Sequence, residues 1–153
     1  MSTLRFEVVS RLPRFVSMSD LERAGTHLAR TLKLESQSTI SVRCVSLAVM
    51  ANINQEQRGK HVPTDVLSFA VAEELQQLTP KGTSRELGDL IICPAFAASE
   101  ARRRGVDVRE EFIRLVVHGV LHIVGYDHAT NIDEQHMFVL QERLVVAICP
   151  PVA

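Results

Sequence analysis

The chain has 153 residues, the length of one ordinary domain, and 46% of them are hydrophobic, so it can bury a core of its own. The 17 Lys and Arg residues nearly balance the 18 Asp and Glu residues. The resulting formal net charge of −1 excludes binding of nucleic acid through bulk positive charge alone. The absence of Trp and the aromatic content of only 5% also disfavour an aromatic platform for stacking successive bases.

The sequence contains no segment typical of export or of a membrane span. The N-terminal residues lack a long apolar stretch, and no run of about 18 consecutive apolar residues occurs. The three cysteines, Cys44, Cys93 and Cys149, are odd in number and have no CxxC spacing, so we expect buried, reduced thiols rather than disulfides. These features favour a cytoplasmic protein that has no membrane partner.

Two strands and one helix are predicted in the first third of the chain. Apolar and polar residues alternate over Leu4–Ser10, which predicts a strand. A helix follows, capped by Ser17 or Ser19, because apolar side chains recur in it at intervals of three and four residues. This helix ends near Lys33, and the alternation returns at Thr39–Val45, the second predicted strand.

The middle of the chain is predicted to hold one helix and two more strands. Ser46 begins a helical pattern that reaches Ile53. A glycine and a proline break the pattern and make Gln57–Pro63 a predicted loop. The apolar, β-rich runs Val66–Val71 and Leu87–Cys93, joined by a polar stretch, predict the third and fourth strands.

Three predicted helices complete the chain. The first has Pro94 in its first turn and ends at Gly105. The second begins after Asp107 and stops at Gly125, and the third spans about residues 133–148. The element order βαβαββααα, with about four strands and about five helices and no internal repeat or linker, predicts a single α+β domain over residues 1–153.

Three histidines near the end of the second of these helices indicate a metal site. His118 and His122 are four residues apart and therefore lie about 40° apart on one helical face, so one metal ion can reach both. His128 joins them only if the chain turns back, which Gly125 permits. Three neutral imidazoles with an open fourth position form the geometry of a catalytic zinc ion.

The alternative is that these are ordinary histidines on the flank of a buried helix. We disfavour it because three of the chain's six histidines fall within eleven residues, before and after a glycine turn. The other three have no such spacing. His27 and His136 are predicted to be surface residues of helices, whereas His61, beside Arg58 and Lys60, is a candidate for contact with an anion.

The HxxxH spacing also invites comparison with zinc peptidases, whose HExxH motif places a general-base glutamate beside the first histidine. Gly119 occupies that position here, so a peptidase would lack its usual proton acceptor. A site of three neutral histidines leaves the +2 charge of the metal uncompensated. Such a site suits an anionic substrate, for example a phosphodiester.

The segment 118–128, HGVLHIVGYDH, resembles the YbeY endoribonucleases, metal-dependent maturation factors for ribosomal RNA whose hallmark is HGxLHxxGYDH. Two further blocks of that family match. Asn54 and Arg58 precede PTDVLSF at residues 63–69, and LGDL stands at residues 87–90 where the family has LGDI. The resemblance covers roughly residues 40 to 145. It implies a small mixed sheet with helices packed around it.

The resemblance also implies a set of functional residues. His118, His122 and His128 would hold one Zn²⁺ per chain, and His118 and Arg58 would be the catalytic residues. The implied function is a zinc-dependent, single-strand-directed endoribonuclease in maturation of the 3′ end of small-subunit rRNA and in ribosome quality control. The implied partners are rRNA, the small ribosomal subunit and ribosome-associated proteins.

Two positions near the proposed catalytic arginine depart from the family pattern. The family often has Tyr where this chain has Gln57, and usually Pro where this chain has Ala70. Neither position is a metal ligand, but both affect the shape of the groove beside the catalytic arginine.

Three aspartates of the matching blocks have two possible roles. Each either holds a ligand imidazole through its second nitrogen or stabilises a local turn, and they are Asp65, Asp89 and Asp127.

A basic run and two rival functions complete the predictions. Three consecutive arginines stand at a helix end, where they either interact favourably with the helix dipole or contact an RNA backbone; they are Arg102, Arg103 and Arg104.

The first rival function is a metal-dependent hydrolase of another substrate class, peptide or small molecule. The second is a non-catalytic ribosome-assembly factor with a structural metal.

Overall fold

A computed structural model describes residues 3–34, 37–78, 80, 82–127 and 129–151. Over these residues the chain forms four strands and six helices, and the predicted α+β class is confirmed. The strands are β1 (Thr3–Val8), β2 (Gln37–Cys44), β3 (Val66–Ala70) and β4 (Arg85–Ile92). The helices are α1 (Met18–Leu32), α2 (Leu47–Arg58), α3 (Glu73–Gln76), α4 (Pro94–Arg104), α5 (Val108–Ile123) and α6 (Asn131–Ile148).

The strands form one mixed sheet in the order β1-β2-β4-β3. β2 runs parallel to both β1 and β4, whereas β3 runs antiparallel to β4. Residues of β4 alternate between the two faces of the sheet: Leu90 belongs to the main core, and Ile91 packs in a smaller cluster with Met50 of α2. The inner strand β4 is therefore covered on both faces.

Helix α5 lies at the centre of the main core. It contacts β3 and β4 on one side and α1, α4 and α6 on the others. This placement follows from its sequence, because apolar residues cover most of the helix surface and leave one polar stripe that contains Arg114, His118 and His122. Its fully buried side chains are Phe112, Ile113, Val116, Val117, Val120 and Leu121.

Helix α1 begins with a capping box that decides between the two predicted cap residues. The Ser17 hydroxyl accepts a hydrogen bond from the Asp20 backbone N–H, and the Asp20 carboxylate accepts one from the Ser17 backbone N–H. Asp20 also pairs with Arg109 of α5 at 3.2 Å. Burial raises the pKa of Asp20, but the Ser17 hydrogen bonds and the nearby guanidinium groups of Arg109 and Arg23 outweigh it and hold the pKa below its ordinary value.

Three sequence-based expectations need correction. Helix α2 continues to Arg58 and ends at Gly59, whose φ of 72° is the left-handed conformation of a helix C-cap, so the predicted loop begins later. The polar stretch before β4 contains the short helix α3, whose four residues carry too little periodicity to be recognised. All three cysteines are unpaired, but Cys44 is only half-buried.

Among the described residues, no helix is both long and apolar enough to cross a membrane.

Candidate active site

The C-terminal end of α5 turns the chain back as the sequence predicts. Gly125 has a φ of 106°, its N–H donates to the carbonyl of His122 (3.1 Å), and the Tyr126 N–H donates to the carbonyl of Leu121 (2.9 Å). This pair of bonds is a Schellman motif, which requires the left-handed residue that glycine supplies. The turn brings the Tyr126 carbonyl next to the His122 ring.

The rings of His118 and His122 meet at one point. Their Nε2 atoms are 3.1 Å apart, with ring centroids separated by 4.5 Å and planes inclined at 80°. Both side chains are half-buried. The spacing on α5 therefore does what the sequence predicts, and we call these two residues the histidine pair.

Carbonyl oxygens engage the other nitrogen of each ring. Nδ1 of His118 lies 2.8 Å from Oε1 of Gln141, and Nδ1 of His122 lies 3.2 Å from the Tyr126 carbonyl oxygen. A carbonyl oxygen only accepts hydrogen bonds, so each Nδ1 carries a proton and donates. In the neutral rings the Nε2 lone pairs then face each other, an arrangement that a cation between them stabilises.

The separation of the two nitrogens fits a zinc ion. Tetrahedral coordination with Zn–N bonds of about 2.0–2.1 Å places two nitrogen ligands about 3.3 Å apart, close to the observed 3.1 Å. His128, the predicted third ligand, lies outside the described residues. Among those that are described, no three His, Cys, Asp or Glu side chains converge on one point, so the three-histidine site stays a prediction.

A chain of hydrogen bonds supports His118 from behind. Nε2 of Gln141 donates to Oε2 of Glu142 at 3.1 Å. The Glu142 carboxylate accepts two bonds from Arg114, from Nε to Oε2 at 2.9 Å and from Nη2 to Oε1 at 3.0 Å. Burial raises the pKa of Glu142, but the bonds from Arg114 and Gln141 outweigh it, and the pKa lies below its ordinary value. We call Arg114, Glu142 and Gln141 the polar relay.

Sequence reasoning missed the polar relay, although one signal was present. Gln141 is 8% exposed and shares the buried stripe of α6 with Met137 and Leu144, at spacings of four and three residues. An amide in an otherwise apolar stripe requires a buried hydrogen-bond partner. The sequence alone does not identify that partner as a histidine on another helix.

Gly119 faces away from the histidine pair, toward the sheet. A Cβ built at this position would collide with Cδ2 of Leu90 in β4. A glutamate here, as in an HExxH motif, would therefore have to displace Leu90 or the helix, because α5 packs against the buried strand β4. Helix–sheet packing thus favours glycine at this position.

A cavity of about 520 Å³ opens beside His118, along the N-terminal half of α6. Phe138, 60% exposed, forms part of its wall, and the buried Met137 contributes to its lining. Amide and carboxylate groups supply hydrogen-bonding atoms. The complete lining is His118, Asn131, Glu134, Gln135, Met137, Phe138 and Gln141, and we call it the α6 cavity.

Comparison with known proteins identifies the family. The family profile described as Endoribonuclease YbeY matches residues 13–148. The chain belongs to the YbeY endoribonuclease family. It is 38% identical over 130 residues to a protein of Kineococcus radiotolerans named Endoribonuclease YbeY, covering 79% of this chain and 73% of that one.

Two further similarities span more of the chain. A Beutenbergia cavernae protein of the same name is 33% identical over 143 residues, which cover 92% of this chain and 94% of the relative. The solution structure of TM1509 from Thermotoga maritima superposes with a TM-score of 0.61 at 26% identity. That superposition covers 95% of this chain and 88% of the other.

The arginine of the YbeY-like block lies on a helix and not on the predicted loop. Arg58 is the last residue of α2, and it is exposed. No hydrogen bond or ion pair joins its side chain to another described residue, the histidine pair included. Lys60 and His61, which follow the C-cap Gly59, are exposed as well. The guanidinium of Arg58 is thus available to an anion from solution.

Asp65 and Asp89 make their hydrogen bonds with residues outside the histidine pair. Oδ1 of Asp65 accepts from the Val66 N–H at 2.7 Å and from the Thr64 hydroxyl at 3.3 Å, which is the local-turn role. The Asp89 carboxylate accepts from the hydroxyl of Ser41 on the neighbouring strand β2. Asp127 is exposed just after the turn that ends α5.

Carboxylates occupy two of the three arginines at the end of α4. Arg103 pairs with Glu100 at 2.7 Å, and this hydrogen bond lowers the pKa of the Glu100 carboxyl. Arg104 pairs with the buried Glu111 of α5, also at 2.7 Å. Arg102 is exposed. The ion pairs favour a structural role for this basic run over RNA contact.

Proposed function

We propose that this YbeY-family chain is a zinc-dependent endoribonuclease that cuts single-stranded RNA. The observation that carries the proposal is the convergence of the two Nε2 atoms at 3.1 Å beside the open α6 cavity. The names of the relatives support RNA as the substrate. We further propose that it acts in the cytoplasm, in maturation of the 3′ end of small-subunit rRNA and in ribosome quality control, with rRNA, the small subunit and ribosome-associated proteins as partners.

His118 and His122 would hold the ion together with His128. When bound, zinc supplies a Lewis acid that polarises a phosphoryl oxygen. The chain itself positions the ligand rings: the carbonyls of Gln141 and Tyr126 accept hydrogen bonds from the Nδ1–H groups, so that both Nε2 atoms face each other. Because the proposed ligands are neutral imidazoles and include no carboxylate, the +2 charge of the ion would stay uncompensated, which favours an anionic substrate.

Arg58 is the proposed second catalytic residue. Its exposed guanidinium has no carboxylate partner in the described part of the chain, so binding a phosphate requires no competing ion pair to break. Two parallel N–H···O bonds to a phosphodiester would orient the scissile group and neutralise the charge that develops during cleavage. This role also accounts for RNA binding by a protein whose net charge is −1.

Peptide hydrolysis is the weaker reading. The chain carries glycine where an HExxH motif has its general-base glutamate, and a side chain at position 119 would have to displace Leu90. A phosphodiester is the better match to a cationic centre without that carboxylate. The assembly-factor alternative differs from the proposal in predicting a bound metal without RNA cleavage.

The test compares His118→Ala with His136→Ala, a control histidine that is exposed on α6 and does not line the α6 cavity. The wild type and the control should carry about one zinc ion per chain and cut unstructured RNA, and His118→Ala should lose both properties. Metal-dependent cleavage of a denatured protein with RNA left intact would establish the peptidase alternative. Stoichiometric zinc with neither activity would favour the assembly factor.

A further inference from the structure

We propose that the polar relay sets the tautomer and the orientation of His118, so that Nε2 rather than Nδ1 faces His122. Gln141, Glu142 and Arg114 are then positioning residues of the site. The inference rests on the proposed function in that it treats His118 as a metal ligand. Its first readout, the protonation of the His118 ring nitrogens, requires neither metal nor substrate.

The first step is the orientation of the Gln141 amide. Its Nε2 lies 3.1 Å from a carboxylate oxygen of Glu142, and only the amide nitrogen can donate to a carboxylate. The reversed amide would place two oxygens against each other. Glu142 therefore turns the amide oxygen of Gln141 toward His118, where it lies 2.8 Å from Nδ1.

The second step is the fixed position of Glu142. Arg114 holds its carboxylate with two hydrogen bonds, a bidentate pairing that sets the plane of the carboxylate as well as its distance. The Arg114 side chain is only 11% exposed, so solvent competes little for these bonds. Arg114 lies four residues before His118 on α5, whereas Glu142 and Gln141 lie on α6. The chain of hydrogen bonds therefore begins on α5, passes through two residues of α6 and ends at His118 on α5.

A purely structural role does not explain an amide at position 141. The neighbouring buried residues of α6, Met137 and Leu144, are apolar, and an apolar side chain at 141 would avoid burying polar atoms. The amide oxygen of Gln141 supplies a hydrogen-bond acceptor for the Nδ1–H of His118. A ring that loses this acceptor can place its proton on Nε2, which removes the lone pair that faces His122.

The experiment is ¹⁵N NMR of the histidine rings in the metal-free protein, with a competition titration of zinc affinity. In the wild type, His118 should be protonated on Nδ1. Gln141→Met keeps the length of the side chain but removes the acceptor. It should shift the proton toward Nε2 and weaken zinc binding by about 10–100-fold.

A matched pair separates the relay from general packing. Glu142 and Glu110 both bond to Arg114, but only Glu142 contacts Gln141. Glu142→Gln should therefore shift the His118 tautomer, and Glu110→Gln should not. If Gln141→Met should fail to fold, this pair still tests the proposal.

An unchanged His118 tautomer in both Gln141→Met and Glu142→Gln would overturn the proposal. Equal shifts in Glu142→Gln and Glu110→Gln would also overturn it, because they would indicate loosened packing. Absence of RNA cleavage by the wild type, alongside the expected tautomer shifts, would refute the proposed function and leave the relay intact.

Discussion

The contact between Gly119 and Leu90 makes a quantitative prediction about how α5 is seated. A Cβ at position 119 overlaps Cδ2 of Leu90, whereas the Cγ and Cδ1 atoms lie at ordinary distances of 3.5 and 3.6 Å. One methyl group therefore accounts for the conflict. Leu90 is fully buried, so its side chain can move only by displacing neighbouring core atoms. Gly119→Ala must displace either this side chain or the helix.

Two opposing contributions set the magnitude. Replacing a helical glycine by alanine gains about 1 kcal/mol of helix propensity. Overpacking a filled core costs about 1–3 kcal/mol, so Gly119→Ala should destabilise the protein by up to about 2 kcal/mol. Leu90→Val removes the conflicting methyl and should itself cost about 0.5–1.5 kcal/mol, by analogy with removal of one buried methylene. In that background Gly119→Ala should be neutral or stabilising.

The assay is a double-mutant cycle of urea unfolding, followed by circular dichroism in the metal-free protein. The coupling free energy between the two substitutions should be about 1–3 kcal/mol, equal to the overpacking that Leu90→Val relieves. Effects that add within about 0.5 kcal/mol would show that α5 does not rest on Leu90 at this point. That result would refute the packing explanation for the missing glutamate.

Three further predictions concern the site and the fold. Arg58→Ala should keep the fold and the metal but lose most RNA cleavage, and Arg58→Lys should recover little because an ammonium lacks the bidentate fork; wild-type rates in the alanine variant would make Arg58 a solvated surface residue. Phe138→Ala should raise the KM for unstructured RNA with little effect on kcat, because about 1–3 kcal/mol of base stacking on the ring would be lost. Val139→Ala, at the neighbouring exposed position, should leave the KM unchanged. Because the pKa of Asp20 is lowered on folding, its contribution is complete above the unfolded pKa near 3.9 and is lost as pH falls through the folded value. The free energy of unfolding, measured by urea titration below about pH 4, should therefore fall less steeply with decreasing pH in Asp20→Asn than in the wild type.

Local features of the chain were readable from sequence because they depend on neighbouring residues. The serine cap predicted at Ser17 or Ser19, the alternation within the strands and the spacing of His118 and His122 all depend on residues close together in the chain. The turn at Gly125 belongs to the same class, since a Schellman motif is completed within six residues. Such features predicted both the elements and the convergence of the histidine pair.

Contacts between distant segments had no comparable signal. Local helix preference is weak at the end of α2 and in the short helix α3. The surrounding structure therefore decides how far these helices extend. The strand order, with β4 between β2 and β3, depends on which edges meet when the core closes. Only tertiary packing places Gly119 against Leu90 and brings Gln141 to His118 across 23 residues of sequence. A histidine pattern can therefore predict which rings converge, whereas the groups that hydrogen-bond to those rings are determined by how α5 and α6 pack.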